Sequence, residues 1–320
     1  MNRLLSWHQT PASAGVFLWL LLTLGGCATP QVTQLGAVWP ASLPPVAQLR
    51  SVPFFPQEQY HCGPAALAMV ASAAGVKVVP EDLTEQVYLP GRQGSLQVEM
   101  LAASRRQGLL PYQLAPQLES ILREVAAGNP VLVLQNLAFS FYPLWHYAVV
   151  TGFDRAANTI TLHSGVTEQL EMSLFTFERT WARGDSWAMV ALSPERVPAT
   201  AQAEAFTASV AALERVQPRA ALAAYRAALQ VWPDQRAAML GAGNAAYAVG
   251  DLEQAAGAYS AATRTHADFA DAWNNLAQVL LEQRKLREAR QAIDKAVALG
   301  GLRADRYREL QAQITGQLTR

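Results

Sequence analysis

The stretch Pro53-Phe54-Phe55-Pro56-Gln57-Glu58-Gln59-Tyr60-His61-Cys62-Gly63-Pro64-Ala65-Ala66-Leu67 decides how this chain is read. The run from Gly63 to Ala74 is rich in helix formers. Pro64 stands near the first-turn position, where its missing N–H costs nothing, and the run stops at Gly75. The pattern predicts a buried helix that begins at Cys62. The partial positive charge at a helix start favours thiolate over thiol, and thiolate is the nucleophile. The backbone N–H of Cys62 and the amide of Gln57, five residues earlier, can both point at the oxygen of an attacked carbonyl, which would form an oxyanion hole. Gln59 is the second choice for that donor. A general base must come from elsewhere in the fold. His146, in Leu144-Trp145-His146-Tyr147-Ala148-Val149-Val150, heads a predicted strand and is the best candidate. His61 precedes the cysteine, should point away from it, and is given no role.

Working outward, helices are predicted over Ser95 to Gln107 and over Gln117 to Ala127, the second ended by Gly128-Asn129-Pro130. Strand signals follow together: Val131 to Gln135, His146 to Phe153, Thr159 to His163 and Trp187 to Leu192. Helices first and strands afterwards make residues 51–195 an α+β domain. The aromatic cluster Phe139, Phe141, Tyr142 and Trp145 beside His146 is open between a substrate cleft, core packing and a mobile loop. The chain has 25 basic and 25 acidic residues in 320. Residues 28–195 carry 9 basic against 13 acidic side chains and residues 196–320 carry 15 against 12, so neither half has the positive field that selects nucleic acid.

At the N-terminus, Arg3 precedes an apolar run from Ala14 to Leu24 that is too short to span a bilayer and reads as a signal-peptide core. The run ends Leu24-Gly25-Gly26-Cys27, which resembles a bacterial lipobox. That resemblance implies removal of residues 1–26, a diacylated Cys27 as new N-terminus, and anchoring in the cell envelope. The absence of Asp after the cysteine favours the outer membrane, with the protein on the periplasmic face. Residues 27–50 hold Pro30, Pro40, Pro44 and Pro45 without clear periodicity and are read as a semi-rigid tether between lipid and domain. Once Cys27 is lipidated, Cys62 has no partner cysteine in the chain.

From about Ala201 the composition turns to Ala-rich helix, and self-similarity appears at a spacing of 34: Ala221, Ala255, Ala289; Tyr225, Tyr259, Ile293; Ala228, Ala262, Ala296. This resembles the tetratricopeptide repeat, in which small residues let paired helices approach closely. About three repeats are predicted over 201–303, the first of them degenerate, with a capping helix in 304–320. Such an array implies a concave surface that binds a peptide or partner protein.

The combination of VPFFPQ, CGPAALAM, GNPVLVL and HYAVVTGFD resembles the papain-like cysteine peptidases of the bacteriocin-processing, double-glycine leader-peptidase-like family, in a lipoprotein branch fused to tetratricopeptide repeats. The resemblance implies Cys62 as nucleophile, His146 as general base, Gln57 as oxyanion donor, and no metal or organic cofactor. In that family a third residue, usually Asp, orients the histidine from the next strand. Here the place, about 17 positions past His146, holds His163, and a one-residue change of strand register would present Ser164 instead. Asp154 and Asn158 read as turn residues. The expected function is hydrolysis of a peptide or amide bond by an envelope lipoprotein. The alternative is a noncatalytic peptidase-like scaffold binding peptides or proteins in envelope or surface-polymer assembly.

Overall fold

Val131-Leu132-Val133-Leu134-Gln135-Asn136 form strand β5, and all six side chains are buried because helices cover both faces of its sheet. The computed structural model describes residues 29–56 and 61–319. Around β5 the sheet consists of β4 (Leu110–Gln113), β6 (Trp145–Asp154), β7 (Thr159–Ser164), β8 (Thr167–Ser173) and β9 (Ala188–Leu192), in the order β4-β9-β5-β6-β7-β8. A seventh strand, β1 (Val46–Gln48), lies against residues 152–154 of β6, and every pairing is antiparallel. A small ribbon of β2 (Tyr88–Leu89) and β3 (Gly94–Ser95) stands apart.

Alternation along these strands sorts the core into two layers. Leu132, Leu134, Tyr147, Val149, Met189 and Ala191 face helix α2 (Cys62–Ala73), together with α3 (Pro80–Val87) and α4 (Gln97–Arg106). Val131, Val133, Ala148, Val150, Ile160 and Leu162 face the other way, toward α1 (Pro30–Ala37), α5 (Leu118–Ala126) and α6 (Leu174–Ala182). Helix α2 runs as expected from the sequence: it stops at Ala73, and Gly75 follows with φ of +92°. Strand β8 and helix α6 carry weaker signals. β8 is an edge strand with polar, exposed residues, and α6 is capped locally by the Ser173 side chain accepting from the Thr176 N–H.

The segment expected to be a tether is folded instead. Pro30 opens α1, Val32, Leu35 and Leu43 are buried in the core, and β1 closes onto β6. The buried carboxylate of Glu178 on α6 accepts from the N–H groups of Gln31 at 3.0 Å and Val32 at 2.7 Å, so an acid sits at the positive end of α1. Four prolines suggested an extended linker, but proline at a helix start is neutral, and tertiary burial outweighs the weak local signal.

The second domain is a stack of seven helices: α7 (Ala203–Glu214), α8 (Pro218–Val231), α9 (Arg236–Ala248), α10 (Leu252–Thr265), α11 (Ala270–Glu282), α12 (Leu286–Leu299) and α13 (Ala304–Leu318). The residues spaced by 34 are all buried where paired helices touch. Gly241 and Gly243 on α9 show why: a Cβ there would run into the rings of Tyr225 and Tyr259. The two domains share one core. Tyr112 and Phe206 pack with ring centroids 6.4 Å apart, and the Tyr112 hydroxyl accepts from the Gln202 N–H. Buried Glu124 accepts from Asn129 Nδ2, the N–H groups of Ala199 and Thr200, and the Thr200 hydroxyl, which fixes the connection between the domains.

Because residues 30–48 belong to the core, Leu35→Ala should lower unfolding stability by about 2–4 kcal/mol through lost burial and a cavity. Denaturant titration followed by circular dichroism checks this, and a tether would show no change.

Candidate active site

Cys62 is the first residue of α2, so the N–H groups of Cys62 and Gly63 lack intrahelical acceptors. They favour the thiolate, as does the backbone N–H of Tyr147, which reaches the same sulfur from β6. The start of the helix and the head of β6 are thereby brought together, since Tyr147 is the neighbour of His146. Burial outweighs the three donors and pushes the Cys62 thiol above its ordinary value. The glycine after the cysteine is a matter of space. A Cβ on Gly63 would lie 2.6 Å from the Cβ of Ser95, which β3 holds against the helix start. Tyr147 fixes that ribbon, with its hydroxyl donating to the Ser95 carbonyl at 3.2 Å. His61 stacks edge-on against Tyr88 at 5.0 Å, clear of a catalytic role.

His146 Nε2 lies 2.8 Å from Ser164 Oγ. Among the described residues Nδ1 has no hydrogen-bond partner. His163, the position expected to orient the base, does not do so. It stands opposite Val149 in the β6–β7 register, and His146 is three residues before Val149, hence on the other face of the strand. Ser164, one residue on, shares the face of His146. The His163 ring is buried against Phe54 and already satisfied: Nδ1 accepts from the Gln169 N–H at 3.3 Å and Nε2 donates to the Val52 carbonyl at 3.2 Å. It therefore ties Val52 and Phe54 to β7 and β8.

A serine at this place donates or accepts a hydrogen bond but brings no negative charge. Burial holds the His146 imidazole down at about 4 and pushes the thiol up, so at neutral pH both groups rest neutral. His146 and Ser164 thus form a hydrogen-bonded pair with no carboxylate to stabilise an imidazolium, and among the described residues no hydrogen bond joins His146 to Cys62. Gln57 and Gln59, the expected oxyanion donors, lie outside the described residues, as does Cys27. Asp154 and Asn158 form the β6–β7 turn: Asp154 Oδ1 accepts from the Ala157 N–H, and Asn158 takes a φ of +56°. The aromatic cluster is not core, for Phe139, Phe141, Tyr142 and Trp145 are all exposed.

Two outcomes follow from this electrostatic arrangement. His146 is depressed to about 4 when folded and titrates near 6.5 when unfolded, so the unfolded chain binds the extra proton between those values. Stability should then fall by about 2 kcal/mol as pH drops from 7 to 5, and His146→Gln should flatten that slope in denaturant titrations. Ser164→Asp would place a carboxylate beside the imidazole and raise its pKa by about 1–3 units. The pH profile of iodoacetamide alkylation at Cys62 should shift to lower pH in that variant, and the shift should vanish when His146→Ala is added.

Residues 49–187 match the family described as Peptidase_C39 like, and residues 206–252 and 240–304 match the tetratricopeptide repeat. No curated protein matches the chain. Among solved structures, one described as a C39-like peptidase from Bacillus anthracis is 18% identical with a TM-score of 0.39, covering 46% of this chain and 97% of its own. A double glycine motif protease from an AMS/PCAT transporter, in complex with the leader peptide, is 20% identical with a TM-score of 0.35, covering 45% and 93%. The Sgt2 TPR domain from Aspergillus fumigatus is 21% identical with a TM-score of 0.34, covering 37% and 79%. The chain therefore carries a domain of the C39-like peptidase family followed by tetratricopeptide repeats.

Proposed function

We propose that this chain is a lipid-anchored cysteine peptidase of the bacterial cell envelope, with its repeats recruiting the substrate or a partner protein. The observation that carries the reading is the placement of His146, bonded through Nε2 to Ser164 with Nδ1 unpaired, next to the backbone donor that reaches the Cys62 sulfur. In the proposed reaction the imidazole takes the thiol proton as sulfur attacks the carbonyl carbon. The Cys62 N–H and Gln57 hold the oxyanion. The imidazolium then gives its proton to the leaving amine, and water releases the acyl group with His146 as base. Because the resting pair is neutral, proton transfer accompanies attack instead of preceding it. Small residues before the scissile bond are the first substrate choice, by analogy with the double glycine motif protease. The lipid on Cys27 sets the location at the membrane, outer in preference to inner.

A second reading is favoured by one observation: the orienting position holds a serine and both reacting groups rest neutral. Under it, the domain is a noncatalytic scaffold that binds extended peptides while the repeats gather envelope or surface-polymer assembly proteins. Incubating the full chain with a peptide library rich in Gly-Gly and Gly-Ala, and reading new termini by mass spectrometry, separates the two. A peptidase produces cleavages that fall at least 100-fold in both Cys62→Ala and His146→Ala. A scaffold retains peptides without cutting any.

A further inference from the structure

Between β5 and β6 the chain makes a hairpin, Leu137–Trp145, whose large side chains turn outward. Leu137, Phe139, Phe141, Tyr142, Leu144 and Trp145 are each between 40% and 86% exposed. Soluble proteins seldom display so many large apolar groups in one place without using them. From Pro130 to Phe153 the sequence contains no Lys, Arg, Asp or Glu. The hairpin is also held in shape. Buried Asn136 accepts through Oδ1 from the N–H groups of Ala138 and Leu144 and donates through Nδ2 to the Phe139 carbonyl. Leu137 N–H bonds the Leu144 carbonyl at 2.9 Å, and the rings of Phe139 and Phe141 stack 5.2 Å apart. Phe139, Phe141 and Tyr142, the most exposed of the six, form the tip of the hairpin.

The start of the described chain lies at the same end of the sheet. Helix α5 hands directly into β5 through residues 127–130, so its first residue, Leu118, lies toward the Asn136 end of that strand. The Leu118 N–H donates to Gln31 Oε1 on α1. On the other side, Glu178 of α6 holds the first N–H groups of α1, and five helical residues later, about 7.5 Å of rise, Arg183 donates to the Asn136 carbonyl at the base of the hairpin. Thr29 is two residues past Cys27, a span of at most about 7 Å. With α1 packed into the core, almost no slack remains between a lipid on Cys27 and the domain.

We propose that the Leu137–Trp145 hairpin docks in the headgroup region of the bilayer that holds the lipid on Cys27, an inference that rests on the lipid-anchor reading above. Aromatic side chains favour that boundary, and an uncharged tip enters it without desolvating an ion. The docked hairpin presents His146, the residue after Trp145, at the membrane surface. Substrates are then peptide segments close to the bilayer, such as the juxtamembrane stretches of anchored proteins.

Trp145 supplies its own probe, because among the described residues it is the only exposed tryptophan. The full chain, matured in a bacterial host, would be reconstituted in vesicles of phosphatidylcholine and phosphatidylglycerol with brominated acyl chains. Intact mass spectrometry would report the lipid on Cys27. The proposal expects bromolipid quenching of tryptophan emission that falls at least twofold in Trp145→Phe and in the double variant Phe139→Ser/Phe141→Ser, with circular dichroism unchanged. A lipidated, vesicle-bound chain whose quenching ignores these substitutions overturns the proposal, and concentration-dependent cross-linking would then mark a second copy as the occupant. A chain with no lipid on Cys27 overturns the anchor reading itself, and the docking proposal with it, and the mass spectrum tells that failure from the first.

Discussion

Everything at the candidate site depends on the alternation of side chains along β6. Its even and odd residues go to opposite layers, so Tyr147 and Val149 meet the cysteine helix while His146, Ala148 and Val150 turn toward the other face. The same strand supplies a backbone N–H to the Cys62 sulfur and an imidazole to Ser164, two contacts made by adjacent residues in opposite directions. A slip of one residue between β6 and β7 would exchange Ser164 for His163 and bury a different chemistry beside the base. That slip is prevented by the core itself. Val150, Ile160 and Leu162 are fully buried in one layer, and a shifted register would put them against the wrong helices.

Electrostatics gives the site its particular character. A cysteine at a helix start, with three backbone donors around the sulfur, is arranged to hold a thiolate, yet burial works against the charge and wins. The histidine suffers the same penalty in the opposite sense. A carboxylate at the Ser164 position would offset both costs, because it would favour the imidazolium and, through it, the thiolate. With serine there, the charge that would favour an imidazolium at rest is absent.

The shared core between the peptidase-like domain and the repeats makes their relation fixed instead of tethered. Glu124 gathers four donors from the connection and the sheet domain, while Phe206 bridges Tyr112 and Trp232. A ligand held on the repeats thus has a defined position relative to Cys62. The N-terminal segment behaves similarly, with α1 and β1 completing the sheet domain instead of linking to it.

The amino-acid sequence determined by itself the features that rest on local pattern. The helix starting at Cys62, the apolar runs of β5 and β6, the 34-residue period of Ala221, Ala255 and Ala289, and the final helix over 304–318 all follow from spacing, helix formers and turn residues. The pairing of Cys62 with the strand of His146, 84 positions apart, rested on the resemblance of four motifs to a family and on no local rule. Only the tertiary structure decided between His163 and Ser164, because adjacent strand residues are equivalent in sequence and differ solely in which face the register assigns them. It also decided that residues 30–48 fold, since their helix and strand are too short to form without Glu178, β6 and the core beside them. The outward turn of the Phe139–Trp145 aromatics belongs to the same class: exposure depends on what packs nearby, which no periodicity within the hairpin encodes.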